Sequence, residues 1–154
     1  MKNKKKIIIG SWPLSGDYGP INLKELIKIL EYSYDEDFFE YDTAPSYGNG
    51  KIEFLLGEIL GNKKNIQINT KVGNQPFIGK SFKIDDLKRS FFQSLKRLKV
   101  NKINTLYLHN PRNEIKNYKE IKKFFKDLKS QNLINKSGLS LAKNFQYDKK
   151  NSTV

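Results

Sequence analysis

Five short apolar runs alternate with four amphipathic segments along the chain, and that alternation is the strongest constraint on its fold. The runs start near residues 7, 38, 66, 103 and 136. Their spacing of about 28–37 residues is that of a βα unit. The sequence predicts strands over Ile7–Trp12, Phe38–Thr43, Ile66–Lys71, Ile103–His109 and Ser137–Leu141. Helices are predicted from about Leu23 to Tyr34, Lys51 to Leu60, Asp85 to Leu98 and Tyr118 to Ser130.

The helices carry apolar stripes at the 3.6-residue period. The stripes are Leu23, Leu26, Ile27 and Leu30; Ile52, Leu55, Leu56 and Ile59; Leu87, Phe91, Leu95 and Leu98; and Tyr118, Ile121, Phe125 and Leu128. Asn22 and Glu25 have capping-box spacing, and Gly61 is placed to end the second helix. Strands joined through helices run parallel with right-handed crossovers. Two architectures satisfy this: a five-stranded doubly wound sheet, or the opening part of a β/α barrel. Neither G-x-G-x-x-G nor G-x-x-x-x-G-K-[ST] occurs.

Bulk composition excludes several functions. With no cysteine, thiolate metal sites and disulfides are absent, and a cytoplasmic setting is expected. The basic start MKNKKKIIIG has an apolar run far too short for a signal peptide, and no window reaches the ~20 apolar residues of a membrane span. The net charge is +13, which alone would attract nucleic acid. Yet 26 lysines stand against 3 arginines, scattered along the chain. Arginine supplies most bidentate recognition, so a solvated surface is expected instead of a nucleic-acid or membrane partner.

The polar residues ending the strands decide between the architectures. Asp42 ends the second strand, Lys71 the third and His109 the fourth, with Tyr47 in the loop after Asp42. Parallel strands bring all four to one rim, where barrel enzymes collect their catalytic groups.

The motifs around these residues resemble those of the aldo-keto reductase family over nearly the whole chain. Gly10-Ser11-Trp12-Pro13 is similar to the end of the family's first strand, and Tyr41-Asp42-Thr43-Ala44-Pro45-Ser46-Tyr47-Gly48 to its D-T-A-x-x-Y-G motif, continued by Glu53 and Gly57. Asn69-Thr70-Lys71, Ser94-Leu95-Lys96-Arg97-Leu98, Leu106-Tyr107-Leu108-His109-Asn110-Pro111 and Gly138-Leu139-Ser140 follow in the family's order. Where the family often places Asn after that Ser, this chain has Leu141.

The resemblance implies a TIM-type (β/α)8 barrel present in part, with about five parallel strands and four helices in a single domain over 1–154, trailing into a polar tail at 142–154. It implies reduction of aldehydes or ketones with NADP(H), NAD(H) being the alternative cofactor. Asp42, Tyr47, Lys71 and His109 are then catalytic, with Tyr47 as general acid. A free phenol has a pKa of ~10, and an adjacent ammonium favours its ionised form. Gly10, Ser11, Asp42 and Ser140 would bind the cofactor, and Trp12 and Asn110 the substrate. No metal is expected. Five strands of an eight-stranded plan leave most of the cofactor's phosphate site unaccounted for. The chain is therefore expected to be a truncated form, weak or inactive alone, or a non-catalytic subunit whose barrel a second chain completes.

Overall fold

The computed structural model describes residues 7–111 and 115–141; the tail expected at 142–154 lies outside them. Five strands form one parallel sheet: β1 Ile9–Gly10, β2 Glu40–Asp42, β3 Gln67–Val72, β6 Ile103–His109 and β7 Ile134–Ser140. They lie in the order β1-β2-β3-β6-β7. The crossovers are α1 Leu23–Asp35, α2 Lys51–Leu60, α3 Ile84–Leu98 and α4 Tyr118–Ser130. Neighbours in space follow chain order throughout, with no reversal of the winding. That is the plan of a β/α barrel partially formed; a doubly wound sheet reverses direction at a switch point.

Between β3 and α3 the chain adds an antiparallel hairpin, β4 Asn74–Gln75 with β5 Gly79–Lys80, which the sequence does not announce. The first strand is shorter than predicted. Pro13 opens a 3-10 turn over Trp12–Ser15, and proline cannot donate to a strand ladder. The fifth strand starts earlier, at Ile134, and Asn135, Lys136 and Ser137 on it are exposed, so no apolar alternation marks it.

The core lies between the sheet and its helices. Leu26 and Leu30 of α1, Ile52, Leu56 and Leu60 of α2, and Leu87, Phe91 and Leu98 of α3 pack against Tyr41, Ile68, Val72 and Leu106. In α4 the buried residues are Ile121, Phe124 and Leu128. Phe124 takes the place predicted for Phe125, which is half-buried, and Tyr118 and Leu23 stay exposed. Asn22 caps α1 as expected, its Oδ1 accepting from Lys24 N at 2.9 Å.

α2 and α3 approach closely around one buried carboxylate. Glu53 accepts from Thr70 Oγ1 (2.6 Å), Ser94 Oγ (3.1 Å), and Arg97 Nε (2.9 Å) and Nη2 (2.6 Å). Breaking a buried ion pair of this kind costs about 3–5 kcal/mol. Glycines permit the approach: a Cβ on Gly57 would lie 2.0 Å from Arg97 O, and one on Gly61 2.6 Å from Leu98 O. Gly61 ends α2 with right-handed backbone (φ −56°), so this close contact, not a left-handed cap, requires glycine there.

Gly57→Ala is therefore expected to destabilise the fold by about 3 kcal/mol, the upper end of the usual cost of overpacking, because the clash is with backbone. A lower urea midpoint would show this; an unchanged midpoint would contradict the packing described.

Candidate active site

The rim at the C-terminal ends of the strands is built by register. Gly10 pairs with Asp42, Asp42 with Asn69, Lys71 with Tyr107, and His109 with Ser140. Lys71 is 5% exposed. Its Nζ donates to Asp42 Oδ1 at 2.6 Å and to the Thr43 carbonyl at 2.8 Å. A buried ammonium is tolerated only when paired and hydrogen-bonded in this way.

Tyr47 opens a tight turn, Tyr47–Gly50, in which Gly48, Asn49 and Gly50 all have positive φ. The left-handed run folds the loop back over the rim. Lys71 Nζ lies 5.0 Å from the centroid of the Tyr47 ring, a cation–π distance. Trp12 stacks on the same ring (centroids 6.2 Å, 19° between planes), and His109 meets it edge-on at 6.4 Å. Trp12 is held by a bond from its Nε1 to Asp17 Oδ2 at 2.6 Å and by edge contact with Tyr18.

His109 is the chain's only histidine. Burial pushes its pKa down to about 4, helped by the positive charges of Lys71 and Lys80. The imidazole is thus neutral near pH 7, one ring nitrogen a donor and the other an acceptor. Three buried polar atoms at this rim lack a partner among the described residues: Ser11 Oγ, Thr43 Oγ1 and His109 Nδ1.

The structure gathers Asp42, Tyr47, Lys71, His109 and Trp12 into one aromatic-walled cluster. Gly10 and Ser11 lie beside it through the main chain, Ser11 N donating to Asp42 O at 2.9 Å. Asn110, at φ 47°, and Ser140 flank His109 and are joined by Asn110 N donating to Ser140 O. No hydrogen bond among the described residues ties the side chain of Asn110 or Ser140 to those five.

Sequence reasoning overlooks the supporting layer. Glu40 Oε1 accepts from Asn69 Nδ2 (2.9 Å) and Asn104 Nδ2 (3.1 Å), and Asn104 Nδ2 also donates to Asn69 Oδ1 (3.1 Å). Glu40 and Asn69 precede Asp42 and Lys71 by two residues, so each pair shares a face of its strand. Polar residues at i and i+2 on one face of a buried strand are the signal that could have revealed them.

A partial β/α barrel thus carries an acid, a phenol, an ammonium and an imidazole at its C-terminal rim, the face on which β/α-barrel enzymes in general carry their catalytic groups. The sequence profile of the Aldo/keto reductase family matches residues 6–151, and the chain belongs to that family. Pyridoxal 4-dehydrogenase from Microbacterium luteolum is 39% identical over 66 residues, 42% of this chain and 19% of that protein. Aflatoxin B1 aldehyde reductase member 4 from Homo sapiens is 37% identical over 76 residues, 47% of this chain and 22% of that protein. In fold, the chain is similar to the holo form of an aldo-keto reductase from Bacillus halodurans. The TM-score is 0.76 at 24% identity, covering 88% of this chain and 46% of that one. The chain thus aligns with about half of that relative and with about a fifth of each curated one. Among the described residues no helix is long and apolar enough to cross a membrane.

The depressed histidine pKa has a signed consequence. In the unfolded chain His109 takes up its proton near pH 6.5, while in the fold it does so only near 4. Its contribution to stability is therefore complete above about pH 6.5 and is lost as pH falls towards 4. The single imidazole resonance in NMR is expected to titrate with a midpoint near 4; a midpoint at or above 6.5 would refute the buried, neutral state.

Proposed function

We propose that this chain supplies the reacting rim of an NAD(P)H-dependent oxidoreductase that reduces aldehydes or ketones to alcohols. The observation that carries this is the Tyr47 ring, set between the Lys71 ammonium at 5.0 Å and the His109 ring at 6.4 Å. Membership of the aldo-keto reductase family supports it. So do two relatives whose names denote aldehyde chemistry, a pyridoxal dehydrogenase and an aldehyde reductase.

A nicotinamide dinucleotide, when bound, supplies the hydride that the protein itself lacks. The residues present fit its polar ring: Ser11 Oγ and Thr43 Oγ1 are buried at the rim with no partner among the described residues. Gly10, Ser11, Asp42 and Ser140 would hold it. NADP(H) is the expected cofactor, with NAD(H) the alternative.

The chain's own residues handle the proton and the developing charge. Tyr47 donates its phenolic proton to the carbonyl oxygen as that oxygen gains negative charge. Lys71 stands beside the phenol ring as the positive charge that supports proton release, and Asp42 keeps it charged and in position. The neutral His109 donates a hydrogen bond to the same oxygen, which serves as the oxyanion contact. Trp12, stacked on Tyr47, walls the substrate's side of the cluster.

Among the described residues β1 and β7 each pair on one side only. Full turnover on this account belongs to an assembly in which further strands close the barrel, and these five strands alone are weak or inactive. The same open edges favour a second role, an interaction subunit of a split barrel, in which loss of Tyr47 would leave assembly intact.

Tyr47→Phe in the closed assembly is expected to lower carbonyl reduction by about 10²–10⁴-fold. Its far-UV circular dichroism should match the parent, since the ring and its stacking are kept. Reduction at the parent rate would sink the proposal.

A further inference from the structure

Outside the rim, the β4–β5 hairpin and α3 border a groove of about 400 Å³ that none of the five clustered residues lines. Its walls include Asn49, Phe77, Arg89, Gln93, Lys96 and Arg97. We propose that this groove is a binding site for a small organic anion carrying a flat ring, with a phosphate or carboxylate as its charged head.

Charge comes first. Arg89, Gln93 and Lys96 recur at helical spacing along one side of α3. Glu53 is wholly buried and engages Arg97 through Nε and Nη2, which leaves Nη1 of that guanidinium unbonded among the described residues. Asp86 holds Arg89 through Nη1 alone. Lys96 has no ion pair among the described residues. The groove therefore presents a surplus of cationic donors, with the Asn49 and Gln93 amides beside them, and guanidinium forks suit phosphate and carboxylate oxygens.

The opposite wall supplies the preference for a ring. Phe77 is 88% exposed and sits at φ 61°. A bulky residue with positive φ is strained, and such strain persists where surrounding structure enforces it. Here Gln75 Nε2 donates to Asp86 O (3.3 Å) and Ser81 Oγ to Asp86 Oδ2 (2.6 Å), clamping the hairpin to the first turn of α3. The clamp holds the hairpin that carries Phe77 against α3, and Phe77 lines the groove together with Arg89 and Lys96, so its ring is available for an aryl or heterocyclic ring to stack upon. The volume lies within the ~300–1,000 Å³ of small-molecule sites.

Titration of the 154-residue protein with phenyl phosphate, benzoate and inorganic phosphate tests this, read by amide chemical shifts in NMR. Saturable binding of a ring-bearing anion is expected below about 1 mM, with inorganic phosphate at least about tenfold weaker. The tighter of phenyl phosphate and benzoate identifies the head group. Shifts should centre on Phe77, Gln93 and Lys96. The fluorescence of Trp12, the only tryptophan and adjacent to Tyr47, should stay constant. Lys96→Glu should weaken binding about tenfold, and Phe77→Ala about fivefold. The proposal is overturned by shifts centred on Trp12 and His109, by inorganic phosphate binding as tightly as the ring-bearing anions, by parent-like affinity in both variants, or by no saturation up to about 10 mM.

Discussion

An ammonium removed from water is among the least tolerated groups in a protein, and the rim of this sheet is organised around one. Lys71 reaches that position because β3 is buried from Ile68 onward, and there its ammonium is bonded to Asp42 and the Thr43 carbonyl. Those partners belong to β2 and the loop after it. The pair therefore also sets the relation between β2 and β3. Displacing either strand by one residue would turn Asp42 or Lys71 to the opposite face and leave a buried charge unpaired. Tyr47, Trp12 and His109 then assemble around the fixed charge, two from loops and one from the end of β6.

Two buried polar layers hold this arrangement from behind. Towards the start of the strands, Glu40, Asn69 and Asn104 bond across β2, β3 and β6, so the strands that carry Asp42, Lys71 and His109 are tied side by side. On the helical side, Glu53 binds Thr70 of β3 and Arg97 of α3, and the stem of Arg97 packs beside Gly50 in the turn that begins with Tyr47. A single carboxylate thus links α2, α3 and β3 to the loop bearing the phenol. Both networks are costly if half-formed and specific when complete, which suits a site whose members come from separate elements.

The βα alternation, the helices and the three polar strand ends were legible because each is a local pattern: a period, a cap, or a charge at the end of an apolar run. What escaped depends on tertiary context. The hairpin after β3 is two residues paired with two, too short for an apolar period to announce, and it is held against α3 through Asp86. Phe124 and Phe125 are equally apolar, and packing against the sheet decides which is buried. His109 is neutral because it is buried beside two lysines, one of them Lys80 on that same hairpin. Glu40 and Asn69 read as ordinary polar residues until the register sets them behind Asp42 and Lys71.

The central claim is that the paired Lys71 ammonium makes this rim a site of carbonyl reduction. The most direct measurement is deuterium transfer, in the protein's native assembly, from a reduced nicotinamide labelled at its transferable position to the carbinol carbon of an aldehyde. The parent protein is expected to yield labelled alcohol. A loss of at least about 10²-fold is expected in Lys71→Met, which keeps the volume and removes the charge. Label transfer by a folded Lys71→Met protein at the parent rate would contradict it.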